Sequence, residues 1–145
     1  MSIWHSLQPL DVLNAASAGT MIRHLGILFT EIGDDFIRGT MPVDERTRQP
    51  YGLLHGGASV ALAETLGSMG ASMCIDAERY LCLGQEINAN HVRAARTGIV
   101  TGTARPAHVG GRSQVWTIEI VNEGGKLLCT SRLTMAVIRR GALGT

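Results

Sequence analysis

Residues 58 to 73 read ASVALAETLGSMGASM, and the reading of this stretch decides the fold. Ala58, Ala61, Leu62, Thr65, Leu66 and Met69 recur at three- and four-residue steps, the spacing of one face of an α-helix. Ser59, Ala63, Gly67 and Gly70 are small enough to let other backbone approach. The spacing therefore predicts a long helix buried on most sides. Its only charge is Glu64. A carboxylate in such surroundings must be paired, hydrogen-bonded or shifted toward its neutral form, because desolvation penalises the charged state. Enzymes tune a base or nucleophile in the same way. On this stretch alone, a Glu that reaches solvent or satisfies a buried donor is an equally good account.

Outward from the helix the pattern changes to strand. Ile27 to Ile32 and Phe36 to Met41 read as two strands joined across Gly33-Asp34-Asp35, preceded by a short helix from Leu10 to Ser17 and followed by a polar turn from Asp44 to Pro50. Beyond the helix, Tyr80 to Asn90, Ile99 to Ala107, Ser113 to Val121 and Leu127 to Ile138 read as four antiparallel neighbours. Trp116, Ile118 and Ile120 share one face, with Gln114 on it against the trend, while Thr117 and Glu119 take the other. Leu127, Cys129, Leu133, Met135 and Val137 likewise share a face. One sheet with one long helix predicts an α+β domain in which an antiparallel sheet wraps around the helix. At 145 residues the chain forms one domain, residues 1–145, with a loose tail expected from Arg139 to Thr145.

Composition excludes several function classes. A formal net charge of +1 with 17% charged residues gives no long-range field, which argues against a nucleic-acid or membrane partner. Aromatic residues, at 4%, are too few for base-stacking platforms. The first residues, MSIWHSLQPLDVLN, lack the basic and apolar regions of a signal peptide, and Glu64 interrupts the one long apolar run, so a soluble cytoplasmic protein is expected. Cys74, Cys82 and Cys129 are odd in number and far apart, which fits reduced thiols acting as small core residues. The histidines at 5, 24, 55, 91 and 108 show no metal-ligand spacing, so no metal is expected.

Three segments in order, MPVDERTRQPYGLLHGGASVALAETLGSMGA, LGQEINANHVR and HVGGRSQVW, resemble the hotdog-fold acyl-CoA thioesterases. The resemblance lies in the phenylacetate-type branch, close to the 1,4-dihydroxy-2-naphthoyl-CoA thioesterase of menaquinone synthesis and the proofreading thioesterase of enterobactin synthesis. It runs over nearly the whole chain and implies a hotdog fold, a homodimer with shared active sites that pairs again into a homotetramer, and hydrolysis of an aromatic acyl-CoA. It implies no cofactor, because CoA is part of the substrate. By resemblance Glu64 is the catalytic carboxylate, as nucleophile or as general base, and His55 and Gly56 surround the thioester carbonyl. The physics of the Gly56 N–H agrees, since the first N–H groups of a helix are unpaired and carry the positive end of its dipole. Two glycines that simply open a helix would look the same.

Geometry adds a constraint. His55 and Glu64, at the start and the middle of one helix, stand about 12 to 14 Å apart along the axis at ~1.5 Å per residue, so they cannot both touch one carbonyl. A shared site needs two helices and hence two chains. Gln49 and Ser68 match further family positions near the reacting centre. Ser68 follows Glu64 by four residues and is placed to hold the carboxylate or a water, or to bond back to its own helix. The resemblance also carries contacts to the CoA nucleotide over to Gly84, to His91, Val92, Arg93 and Ala94, and to His108, Val109, Gly110, Gly111, Arg112 and Ser113. Arg suits phosphate through its planar fork, although a Gly-Gly pair alone reads as a hairpin turn. The chain has one more residue than those relatives between helix and NANHVR, near Asp76 to Tyr80. A carrier-protein thioester, a 3-hydroxyacyl dehydratase and a non-catalytic acyl-CoA-binding module are the alternatives.

Overall fold

The computed structural model describes residues 1–142, and its element order follows the sequence reading with one addition. Helix α1 spans Leu10–Ala16 and a one-turn helix α2 spans Met21–His24. Strands β1 (Leu28–Ile32) and β2 (Ile37–Pro42) precede the long helix α3 (Gly56–Met73), and β3 (Tyr80–His91), β4 (Ile99–Val109), β5 (Ser113–Val121) and β6 (Leu127–Arg139) follow it. The six strands form one antiparallel sheet in the order β1-β2-β4-β5-β6-β3. The α+β expectation and the single central helix both hold, because α3 packs against β2, β3, β4, β5 and β6.

Leu62 and Leu66 of α3 are fully buried beneath the sheet, each side chain contributing about 1.5–3 kcal/mol by leaving water. Trp116, Ile118 and Ile120 of β5 and Leu133 and Met135 of β6 meet them from above. Close approach depends on the small residues of α3: a Cβ on Gly70 would lie 2.7 Å from the Trp116 ring. Gln114 departs from the apolar pattern for a visible reason. Its Oε1 accepts from Trp116 Nε1 at 2.9 Å and its Nε2 donates to the Ala71 carbonyl at 3.3 Å, so a fully buried amide is satisfied at the end of α3.

The two sheet edges differ. At β1, the Asn14 side chain of α1 donates to the Phe29 carbonyl and accepts from the Phe29 N–H, both at 2.9 Å, which places a side-chain amide where a further strand would pair. At the other edge β3 pairs only with β6, and its twelve residues include the exposed Leu83. A bulge between Gly84 and Glu86 bends that strand. The tail is tied down at its start, where Arg140 donates through its backbone to Arg79 and through Nε to the Ala77 carbonyl. The rest of the expected loose tail, residues 143–145, lies outside the described residues. Among the described residues no helix is long and apolar enough to cross a membrane.

Candidate active site

The first turn of α3 is built by His55. Its backbone is extended at φ −69° and ψ 132°, and its Nδ1 accepts the Gly57 N–H at 2.8 Å. The His55 carbonyl takes the N–H groups of Ala58 and Ser59 at 3.0 and 3.2 Å. The Gly56 N–H, the first of the helix, has no acceptor among the described residues, and the helix dipole adds positive potential there. His55 thus acts as the helix cap, its ring turned to Gly57.

Gly56 lines a cleft of about 390 Å³ together with Gln49, Leu53, Leu54, Ser59, His91, Val92, Arg93, Ala94 and Leu128. The wall formed by residues 48–54 is fixed to residues 95 and 96, since Arg48 Nε donates to the Arg96 carbonyl at 3.0 Å and Leu54 N–H to the Ala95 carbonyl at 2.7 Å. Gln49 Oε1 accepts from the Tyr51 N–H, which leaves its amide NH₂ without an acceptor among the described residues. His91 ends β3 against Gly56, so close that a Cβ on the glycine would stand 2.8 Å from His91 Nε2. Structure therefore brings together Gln49, Gly56 and the 91–94 segment.

Glu64 lies elsewhere. It is half-buried rather than enclosed, and its carboxylate has neither a hydrogen-bond donor nor a cation among the described residues. Of the two accounts the sequence left open, the structure fits the Glu that reaches solvent, because the helix face at Ala61, Glu64, Thr65 and Ser68 is only partly covered. That face opens on a second cleft of about 290 Å³, whose far wall is Met21, Ile22, Leu25 and Ile27. Gly84 lies directly behind the carboxylate, and a Cβ there would fall 2.5 Å from Glu64 Oε1. Ser68 holds neither Glu64 nor its own helix backbone; its hydroxyl lies 3.7 Å from Met135 Sδ. Met135 is the β6 partner of Gly84, which accounts for the four residues meeting.

The segment His108 to Ser113 sits at the opposite end of α3 from His91 and Arg93. Gly110 N–H closes the hairpin onto the Ser113 carbonyl at 3.0 Å, and the loop borders a third cleft with Cys74, Asp76, Tyr80 and Gln114. The stretch Asp76 to Tyr80, where the sequence leads one to expect an extra residue, borders this loop. Arg93 and Arg112 have no carboxylate partner among the described residues. The cysteines are poor nucleophiles, since burial pushes the Cys74 and Cys82 thiols up to about 11.

This geometry can be set beside known proteins. A family model described as the thioesterase superfamily matches residues 51–129, which include both α3 and the 91–94 segment. The 1,4-dihydroxy-2-naphthoyl-CoA hydrolase of Escherichia coli K12 is 54% identical over 136 residues, covering 94% of this chain and 99% of that protein. The chain belongs to the thioesterase superfamily. Among other members, the proofreading thioesterase EntH of Cronobacter sakazakii is 52% identical over 136 residues, covering 94% of this chain and 98% of that one. A mutant thioesterase from Pseudomonas aeruginosa has a structure that superposes with a TM-score of 0.94 at 47% identity, covering 95% of this chain and 99% of that one. As a member of the superfamily with the hotdog architecture, the chain is a thioester hydrolase. Sequence reasoning missed the second cleft's far wall, because α2 is a single turn with no apolar period long enough to register. The glycines on either side, Gly19 and Gly26, were the available signal.

Proposed function

We propose that this thioesterase hydrolyses aromatic acyl-CoA thioesters of the 1,4-dihydroxy-2-naphthoyl-CoA or benzoyl-CoA kind, at active sites shared between two copies of the chain. The observation that carries this reading is the division of labour along α3. A free N–H donor at Gly56 faces one cleft and an unpartnered carboxylate at Glu64 faces another. Eight residues of helix hold them about 12 Å apart, so each is half of a site.

A two-fold axis supplies the other half. Strand β3 is the open edge of the sheet, and an exposed edge is a template for pairing with another chain. Antiparallel pairing of β3 with a second β3 sets His91 beside the partner's Tyr80 end. Tyr80 N–H bonds the Asp76 carbonyl just past α3, and both residues line one cleft with Gly110 and Gly111, so that end carries the His108 to Ser113 loop. The same operation turns the second α3 end for end, which moves one chain's Gly56 toward the other's Glu64 face. Both basic segments, separated in one chain, then border one substrate, with Arg93 and Arg112 free to take phosphates.

In the reaction the thioester oxygen accepts from the Gly56 N–H and from the Gln49 amide, and these donors strengthen as charge develops on it. Glu64 either takes a proton from the attacking water or attacks the carbonyl itself, water then cleaving the anhydride. Both routes release the acid and the CoA thiol. Ser68 borders the carboxylate, and His55 sets the helix turn that presents Gly56. No cofactor enters this scheme. The 54% identical hydrolase named above supports the naphthoyl substrate, and menaquinone synthesis is the pathway that substrate implies. Three free cysteines suit a reducing cytoplasm, and pairing of dimers into a tetramer follows the family resemblance.

The test is release of free thiol from 1,4-dihydroxy-2-naphthoyl-CoA, benzoyl-CoA and a medium-chain acyl-CoA, with Glu64→Gln beside the wild type and an aryl carrier-protein thioester as a further substrate. The variant is expected to lose a factor of about 10² or more in kcat, as for removal of a positioned base. Binding of CoA without thiol release from any substrate would overturn the reading in favour of a binding module.

A further inference from the structure

The cleft beside Glu64 has a composition that the proposed chemistry does not by itself require. Met21, Ile22, Leu25 and Ile27 form one wall and Ala61 part of the other. Thr65 Oγ1 donates to the Ala61 carbonyl at 2.7 Å and the Ser68 hydroxyl to Met135 Sδ, so among the described residues the cleft keeps no free side-chain donor and Glu64 is its one charged group. No basic side chain lines it. The pantetheine arm carries amide carbonyls that would be buried there without donors, at a cost of the kind that excludes unpaired polar groups. Phosphates would find no cation. An aromatic acyl group buries its apolar ring faces there, can donate a ring hydroxyl to the carboxylate, and brings its carbonyl to it.

Its outer wall is built apart from the sheet. Gly19 and Gly26 have φ values of 72° and 73°, in the left-handed region that favours glycine, and they bracket the single turn α2. Three contacts fix that turn in place: Thr20 Oγ1 donates to the Ser17 carbonyl at 2.7 Å, Arg23 to the Asn14 carbonyl at 2.8 Å, and Ile27 N–H to the Ile22 carbonyl at 3.0 Å. Met21, 65% exposed, stands at the mouth, while Ile22 and Leu25 pack against the core.

We propose that the segment from Gly19 to Gly26 selects the acyl group, with Met21, Ile22 and Leu25 as specificity-determining residues that size the cleft beside Glu64. This rests on the reading of Glu64 as the catalytic carboxylate. The cleft, at about 290 Å³, is at the small end of ligand pockets, which run from about 300 to 1,000 Å³. Its wall of Met21, Ile22, Leu25 and Ile27 opposite Ala61 offers the flat face of a one- or two-ring acyl group an apolar surface.

The test uses the full-length protein and non-hydrolysable ketone analogues of CoA, in which a methylene separates sulfur from the carbonyl, carrying either a naphthyl or a methyl group. Calorimetry gives their affinities for wild type, Met21→Trp, which narrows the mouth from an exposed position, and Ile22→Ala, which widens the interior. Met21→Trp is expected to lower the naphthyl-to-methyl affinity ratio about tenfold or more, and Ile22→Ala to shift it in the naphthyl's favour, since a single methylene in an apolar pocket is worth that much. An unchanged ratio overturns the proposal. So does a parallel loss of both analogues, which would put the pantetheine arm in the cleft, or a change confined to subunit association, which would put the partner chain there. Thiol release by the wild type is measured beside it, so failure of the hydrolase reading is seen separately.

Discussion

Replacing Gly56 by proline removes one N–H from the molecule and almost nothing else. Proline is tolerated at the first helical position because that N–H has no partner in the helix, and it demands an extended residue before it. His55, at φ −69° and ψ 132°, already has that conformation, and Gly56 carries no positive φ. The side effect is steric, since a Cβ at this position stands 2.8 Å from His91 Nε2. The His91 ring is exposed at a strand end and can swing away. Gly56→Ala makes the same contact while keeping the N–H, so it is the proper control. Loss of one oxyanion donor costs about 2.7–4 kcal/mol, or roughly 10²- to 10³-fold in kcat. Gly56→Pro is therefore expected to fall by about that factor below Gly56→Ala in thiol release, with the two melting temperatures alike. If proline and alanine variants turn over at similar rates, the Gly56 N–H does not polarise the carbonyl.

Mixing chains tests the sharing of sites. Equal amounts of Glu64→Gln and Gly56→Pro, unfolded and refolded together, give mixed dimers as about half the population, each with one of its two sites intact, so about one quarter of wild-type activity is expected from two nearly dead parents; no recovery in dimers shown to be mixed would place both groups in one chain. In the core, Gln114→Ala leaves the buried Trp116 N–H without its acceptor, while the Ala71 carbonyl keeps the Cys74 N–H, and denaturant melts are expected to show a loss of about 1–3 kcal/mol. The thiols of Cys74 and Cys82 titrate at about 11 in the folded chain, against an ordinary 9.0, because burial disfavours the thiolate. Above pH 9 the unfolded chain loses protons that the folded chain keeps, so stability is expected to fall between about pH 9 and 11. A Cys74→Ala, Cys82→Ala double variant should flatten that decline.

The elements that depend on long periods were legible in the sequence. The α3 stretch repeats its apolar face over more than four turns, and β5 and β6 alternate for nine or more residues, so burial dictates their class. Gln114 stood out as a polar residue on an apolar face, and its bonds to Trp116 and Ala71 explain the exception. What sequence did not disclose was the environment of Glu64. Helical periodicity tells which residues point together, but it does not tell which face the sheet leaves bare. Whether Ala61, Glu64, Thr65 and Ser68 face core or cleft depends on α2, a turn too short to have a period, and on Gly84, a strand residue whose missing side chain makes room for the carboxylate. The positions near the reacting centre came from family resemblance, and the chain's geometry explains why they divide into two sets.

That division links assembly to chemistry. Burying Glu64 fully within one chain would have required a partner for its charge, and a carboxylate paired by Arg is a weaker base. Leaving it half-exposed on an uncovered helix face keeps it available, but an exposed site full of water would weaken every electrostatic contact in it. In the dimer proposed above, a second copy joined at β3 would resolve the conflict, since it would cover the face without neutralising it and bring a helix N-terminus whose dipole stabilises developing negative charge. The same proposed contact would remove the open sheet edge. Weakening the edge, for instance by Leu83→Lys on the exposed face of β3, should then lower activity in proportion to the dimer lost, so that specific activity falls on dilution and returns on concentration. A variant that becomes monomeric in sedimentation yet keeps full turnover would separate what the fold here joins.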